Sequence, residues 1–197
     1  MFNSKLAGFL SIVFHPIILF LPVPYLIIMR AENNYFQAVI WTLFSWLILS
    51  VLGIFIMYQV KTGKFTNLDV SVRSQRPLFF LSVGIAIAVY SISLLLFNGP
   101  VVMLVLAGGA IVALGLLDLI NSKIKTSIHV ASVTSILCAF VVLNGLMYSW
   151  TLLLIPLVAW SRITLQRHSL SETIMGAIFG FFITIVVYVM IELVLKG

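Results

Sequence analysis

Charge is scarce in this chain. Eleven basic and five acidic residues are the only fully charged side chains among 197 residues, 62% are hydrophobic, and the mean hydropathy is +1.24. No soluble domain needs that much apolar surface, so a water-soluble fold is excluded and a polytopic α-helical membrane protein is expected. Ten-residue segments of alternating polarity are missing too, which excludes an outer-membrane barrel. The single cysteine, Cys138, can form no disulfide within the chain and no cysteine-based metal motif; it reads as a small core residue. Internal repeats and low-complexity linkers are lacking, so residues 1–197 read as one integral-membrane domain, with the motif-bearing core at about 59–195. No small-residue cleavage site follows the apolar run after Lys5, and that run reads as a retained first helix.

The apolar runs are what the chain has in abundance. About 20 residues cross a bilayer, and the pattern predicts six to seven spans: 6–29, 36–58, 77–97, 101–120, 127–146, 147–160 and 173–195. The first contains His15-Pro16, Pro22 and Pro24 and is expected to kink. The sixth is short at fourteen residues and needs the polar residues after it to complete a crossing. Asn98-Gly99-Pro100 is a tight turn, and Pro77 is placed to open a helix.

Three polar islands interrupt these runs: residues 59–76, 121–129 and 161–172. With seven crossings they follow the second, fourth and sixth spans and share one membrane face with the N-terminus. That face collects Lys5, Lys61, Lys64, Arg73, Arg76, Lys123, Lys125, Arg162 and Arg167, against Arg30 and Lys196 opposite. The asymmetry predicts a cytoplasmic N-terminus and a cytoplasm-facing site. Anionic headgroups or phosphate are the natural partners of these cations. Nucleic acid is not, because a chain embedded in lipid offers no basic face to it.

The third island carries the strongest chemical signal. His168 and Glu172 are four apart, so a helix places them on one face. A carboxylate there holds an imidazole in one tautomer, as an activated base or nucleophile requires. A short charged loop between two spans is the plainer alternative. The same face offers His129, Ser127, Asp69 and several arginines, whose planar forks suit phosphate oxygens. Two histidines among arginines suggest phosphoryl transfer, one attacking phosphorus and the other protonating the leaving oxygen. The surrounding cations disfavour a divalent metal. Asp69, Arg73 and Arg76 share a face if their segment is helical. Ser127 opens the fifth span, either as part of an anion site or as a plain N-cap. His15 either lines a polar cavity or faces other helices as a satisfied histidine.

These residues resemble the type-2 phosphatidic acid phosphatase superfamily. Ser161-Arg162, His168 and Glu172 match its third signature, SRxxxxxHxxxD, except that glutamate replaces the final aspartate. Arg76-Pro77 matches the end of KxxxxxxRP, with Asp69 in the lysine position. Ser127-Ile128-His129 matches PSGH in serine and histidine, with Thr126 and Ile128 in place of proline and glycine. His15-Pro16 and the Lys125-x-Ser127-x-His129 form look like a divergent bacterial branch, which implies an inner-membrane location. The resemblance covers roughly residues 69–172 and implies a core like that family's helical bundle. It implies His168 as a nucleophile forming a phosphohistidine, Glu172 as its orienting group and His129 as the general acid. Arg76, Arg162 and Ser127 would hold phosphate, with Lys125 and Arg73 as helpers, and no metal or other cofactor. The implied substrate is a lipid phosphate, either phosphatidate-like or a polyprenyl phosphate or diphosphate. Relatives commonly act on the membrane face opposite the cytoplasm. A catalytically degenerate relative that binds or moves anionic lipids is the alternative.

Overall fold

The computed structural model describes residues 2–70 and 72–196, and every regular element among them is helical. Six helical stretches are long and apolar enough to cross a membrane: Asn3–Phe20, Tyr35–Lys61, Arg73–Leu96, Val101–Asn121, Leu146–Thr164 and Leu170–Val194. These stretches are consistent with a multi-pass membrane protein. Many of their large apolar side chains are exposed, including Leu47, Leu81, Ile111 and Phe181. That exposure suits contact with lipid and would be unfavourable in water.

The proline-rich start is divided more than a kink. It forms α1 (Phe2–Val13), α2 (Pro16–Phe20) and α3 (Val23–Glu32). Pro16 and Pro22 lack the amide proton that would continue each helix, and both bias the preceding residue away from the helical region. The carbonyl of Leu21, freed at the second break, accepts the indole N–H of Trp46 at 2.9 Å. The expected fifth span is α7 (Ile128–Asn144), at 17 residues shorter than the six and about 25 Å long. The short sixth span completes its length as anticipated. A 3₁₀ segment (Leu146–Leu153) runs into α8 (Leu154–Thr164), which carries Ser161 and Arg162 inside the helix.

The chain forms two compact units. One comprises Leu21–Ser122 with the last four residues of the chain. It holds α3, α4 (Tyr35–Lys61), α5 (Arg76–Leu96) and nearly all of α6 (Val101–Lys123). Its core gathers Ile28, Ala38, Trp41, Tyr90, Leu94, Val102, Met103 and Ala107. The Ser45 and Tyr90 hydroxyls pair at 2.9 Å within it. Gly99 lets the predicted turn close on this core, because a Cβ there would lie 2.5 Å from the Trp41 ring. Residues 62–70 are not helical. They turn over a small cluster of Ile56, Phe65 and Val70, with Val70 in the left-handed region at φ 44°. A helical face shared by Asp69, Arg73 and Arg76 is therefore not formed. Arg73–Gln75 is a single 3₁₀ turn, and α5 begins at Arg76 with Pro77 in its first turn, where the missing N–H costs nothing.

The other unit comprises Met1–Phe20 and Lys123–Leu193. Here α1 packs on α8, α2 packs on α7, and α7 packs on α8 around Val130, Val133 and Val158. The helix α9 (Leu170–Lys196) crosses α7 at very short range. A Cβ on Gly176 would sit 2.7 Å from the carbonyl oxygen of Ser127, and one on Gly180 would overlap the carbonyl oxygen of Ala131. One turn further on, the Thr184 hydroxyl donates to the Ser135 carbonyl at 3.1 Å. Glycines four apart allow two membrane helices to approach backbone to backbone.

Candidate functional site

The second unit contains the third polar island, and its backbone explains how His168 is presented. The helix α8 closes with Gln166 in the left-handed region at φ 55°. The amides of Arg167 and His168 turn back to the carbonyl of Arg162 at 3.0 and 3.4 Å. Three residues later the next helix starts on a capping box. Ser169 Oγ accepts the Glu172 amide at 3.3 Å, and Glu172 Oε2 accepts the Ser169 amide at 3.4 Å. His168 is thus held between two capped helix ends, and α9 opens with its carboxylate beside the imidazole.

The same carboxylate oxygen lies 2.6 Å from His168 Nδ1. It also lies 3.6 Å from Lys125 Nζ, and that ammonium donates to the Arg167 carbonyl at 3.0 Å. Lys125 and Ser127 reach the island because the Ser127 amide donates to the Glu172 carbonyl at 3.1 Å, tying the start of α7 to the first turn of α9. Ser127 is the N-cap of α7, its Oγ accepting the Val130 amide at 3.5 Å. Arg162 is only 1% exposed and its Nη1 donates to Ser11 Oγ on α1. His129 lies buried in the first turn of α7, its ring edge-on to His15 with centroids 4.9 Å apart.

Burial dominates the titration of His168 and pushes it down to about 4. The Glu172 hydrogen bond pulls the other way, and the charges of Lys125 and Arg162 add to the lowering. At neutral pH the imidazole is therefore uncharged. With Nδ1–H donated to the carboxylate, Nε2 keeps its lone pair, which is the form a nucleophile needs. Between pH 6.5, the ordinary histidine value, and 4 the unfolded chain binds the proton that the folded one refuses. Folded-state stability should fall as pH drops through that window. Thermal melts in detergent at pH 7 and pH 5 measure the loss, and His168→Gln, which cannot titrate, should flatten it.

No family model, curated protein or solved structure matches this chain.

The site residues expected from sequence divide between the two units. Lys125, Ser127, His129, Arg162, His168 and Glu172 belong to the unit just described. Arg73 and Arg76 belong to the other. There Arg73 is exposed, whereas Arg76 is buried with Nη1 donating to Asn121 Oδ1 at 2.6 Å and Nε to the Val70 carbonyl at 3.4 Å. Sequence reasoning missed Ser11 and Asn121, which announce nothing in a linear pattern. It also passed over two readable signals: Ser169-x-x-Glu172 as a capping box, and Gly176-x-x-x-Gly180 as a close helix crossing.

Proposed function

We propose that this protein is an integral-membrane lipid phosphatase, a divergent bacterial member of the type-2 phosphatidic acid phosphatase superfamily acting at the inner membrane. The observation that carries the reading is the 2.6 Å contact of His168 Nδ1 with Glu172 Oε2, with Lys125 and Arg162 as neighbouring cations. Neutral His168 attacks phosphorus through Nε2 as the ester P–O bond breaks, and His129 gives its proton to the departing alcohol oxygen. Water, losing a proton to His129, then cleaves the P–N bond and releases inorganic phosphate. Lys125, Arg162 and the Ser127 hydroxyl proton hold the phosphate oxygens. A site beside the membrane boundary leaves the lipid tail in hydrocarbon, which favours phosphatidate-like and polyprenyl phosphates or diphosphates.

The test is a phosphate-release screen of the purified protein over these lipid phosphates. Release that vanadate inhibits and chelator leaves untouched is the expected result; no release from any of them would sink the proposal. Glu172→Gln refines it. Glutamine still serves a capping box, so α9 keeps its start. Losing both upward influences of Glu172 lowers the affinity of His168 for protons further. Turnover should fall roughly 10²-fold, and the imidazole titration, followed by NMR, should move to lower pH.

A second reading has its own observation. Arg162 is 1% exposed and engages Ser11, as a structural arginine does. A catalytically degenerate relative that binds or moves anionic lipids would retain lipid phosphate in the same screen without turning it over.

A further inference from the structure

His15 interrupts the first helix and does two things there. Its Nδ1 accepts the amide of Ile17 at 3.3 Å, capping the five-residue α2 that follows. In the neutral ring this leaves the proton on Nε2. The ring also stands at 85° to that of His129, with centroids 4.9 Å apart. The short helix packs on α7, the helix that carries His129 in its first turn. The cap fixes one imidazole, and that imidazole fences the other. His129 is 95% buried, so its ring has few orientations open to it.

We infer that His15 is a positioning residue for His129, holding that imidazole in the orientation from which it protonates the leaving oxygen. The inference rests on the phosphatase reading and adds a third histidine to it, one supplied by the N-terminal end of the chain. It also accounts for the placement of the helix break. Pro16 stops α1 at Val13, two residues before the ring must be presented, and the five residues of α2 carry the chain back against α7.

General acid catalysis matters in proportion to how poor the leaving group is. A lipid alcohol leaves badly without a proton, whereas a nitrophenolate leaves well. The experiment compares turnover of a lipid phosphate with turnover of an aryl phosphate in wild type, His15→Asn and His15→Phe. Asparagine keeps an acceptor to cap α2 and discards the ring; phenylalanine keeps the ring and discards the cap. In His15→Asn the ratio of lipid-phosphate to aryl-phosphate turnover should fall roughly 10- to 100-fold, less than removal of the general acid itself. His15→Phe, which keeps the neighbouring ring wall, should fall less. The ¹⁵N signals of the His129 imidazole should shift in His15→Asn, reporting a changed tautomer balance or orientation. A merely structural role would lower both rates together and leave the ratio unchanged; that outcome, or unaltered His129 signals, overturns the inference. If the wild type hydrolyses neither substrate, the phosphatase reading and the catalytic role of His15 fall together. The imidazole signals would still decide whether His15 sets His129.

Discussion

His168→Ala is expected to reduce turnover of the lipid phosphate by roughly 10⁴-fold or more, the scale seen when a covalent nucleophile is removed from an active site. Alanine deletes the atom proposed to bond to phosphorus, so no compensation from neighbouring cations would restore the proposed pathway. Binding should survive better than turnover, because Lys125, Arg162 and Ser127 remain. The fold should survive as well. The backbone amide of His168 keeps its turn to the Arg162 carbonyl, and the capping box of Ser169 and Glu172 does not use the imidazole. Steady-state kinetics on detergent-purified protein, with headgroup binding measured in parallel, separates the two effects. Equal loss of binding and turnover would point to collapse of the site rather than to loss of a nucleophile.

The second large effect is expected far from any charged group. Gly180→Ala adds one methyl where α9 passes α7, on top of the Ala131 carbonyl oxygen and 2.9 Å from Thr134 Cβ. Backbone cannot step aside as a flexible side chain can, so the helices must separate. Overpacking of this kind costs about 1–3 kcal/mol. The consequence reaches the chemistry, because the same crossing sets the hydrogen bond from the Ser127 amide to the Glu172 carbonyl. A displacement of about 1 Å at the Glu172 end is enough to cost on the order of 10²-fold in rate. The control is Gly53→Ala on α4, where an added Cβ meets nothing within 4 Å. That change should be neutral or stabilising by up to about 1 kcal/mol, since alanine is the better helix former. Melting temperature in detergent and turnover should both fall in Gly180→Ala and hold in Gly53→Ala. Equal behaviour of the two variants would contradict the crossing.

Much of the candidate site was legible because its signal is local. The four-residue spacing of His168 and Glu172 forecasts a shared face, and their 2.6 Å contact is the geometry that spacing permits. Ser127 was readable as an N-cap for the same reason. Lys125 was readable as a phosphate-binding helper in the second island, but not as a neighbour of Glu172. Its approach to Glu172 depends on the α7–α9 crossing, which follows from glycines fifty residues away. The segment 62–70 was less legible. Its polar residues allow a helix, but burial of Phe65 and Val70 under a turn wins, and Val70 takes a left-handed conformation that propensity would not assign to it. The helices long and apolar enough to cross a membrane were legible from apolar length. The exception was the first, where Pro16 and Pro22 produced breaks, and Trp46 supplies one missing hydrogen bond from a helix that no local pattern connects to it.

The central claim is that His168 forms a covalent bond to phosphorus. Rapid quenching of the purified protein during turnover of a ³²P-labelled lipid phosphate tests it most directly. The account predicts a protein-bound label that is stable to base, lost in acid, located on His168 and absent from His168→Ala. Phosphate release at the wild-type rate from His168→Ala, or a label that maps to any other residue, would contradict it.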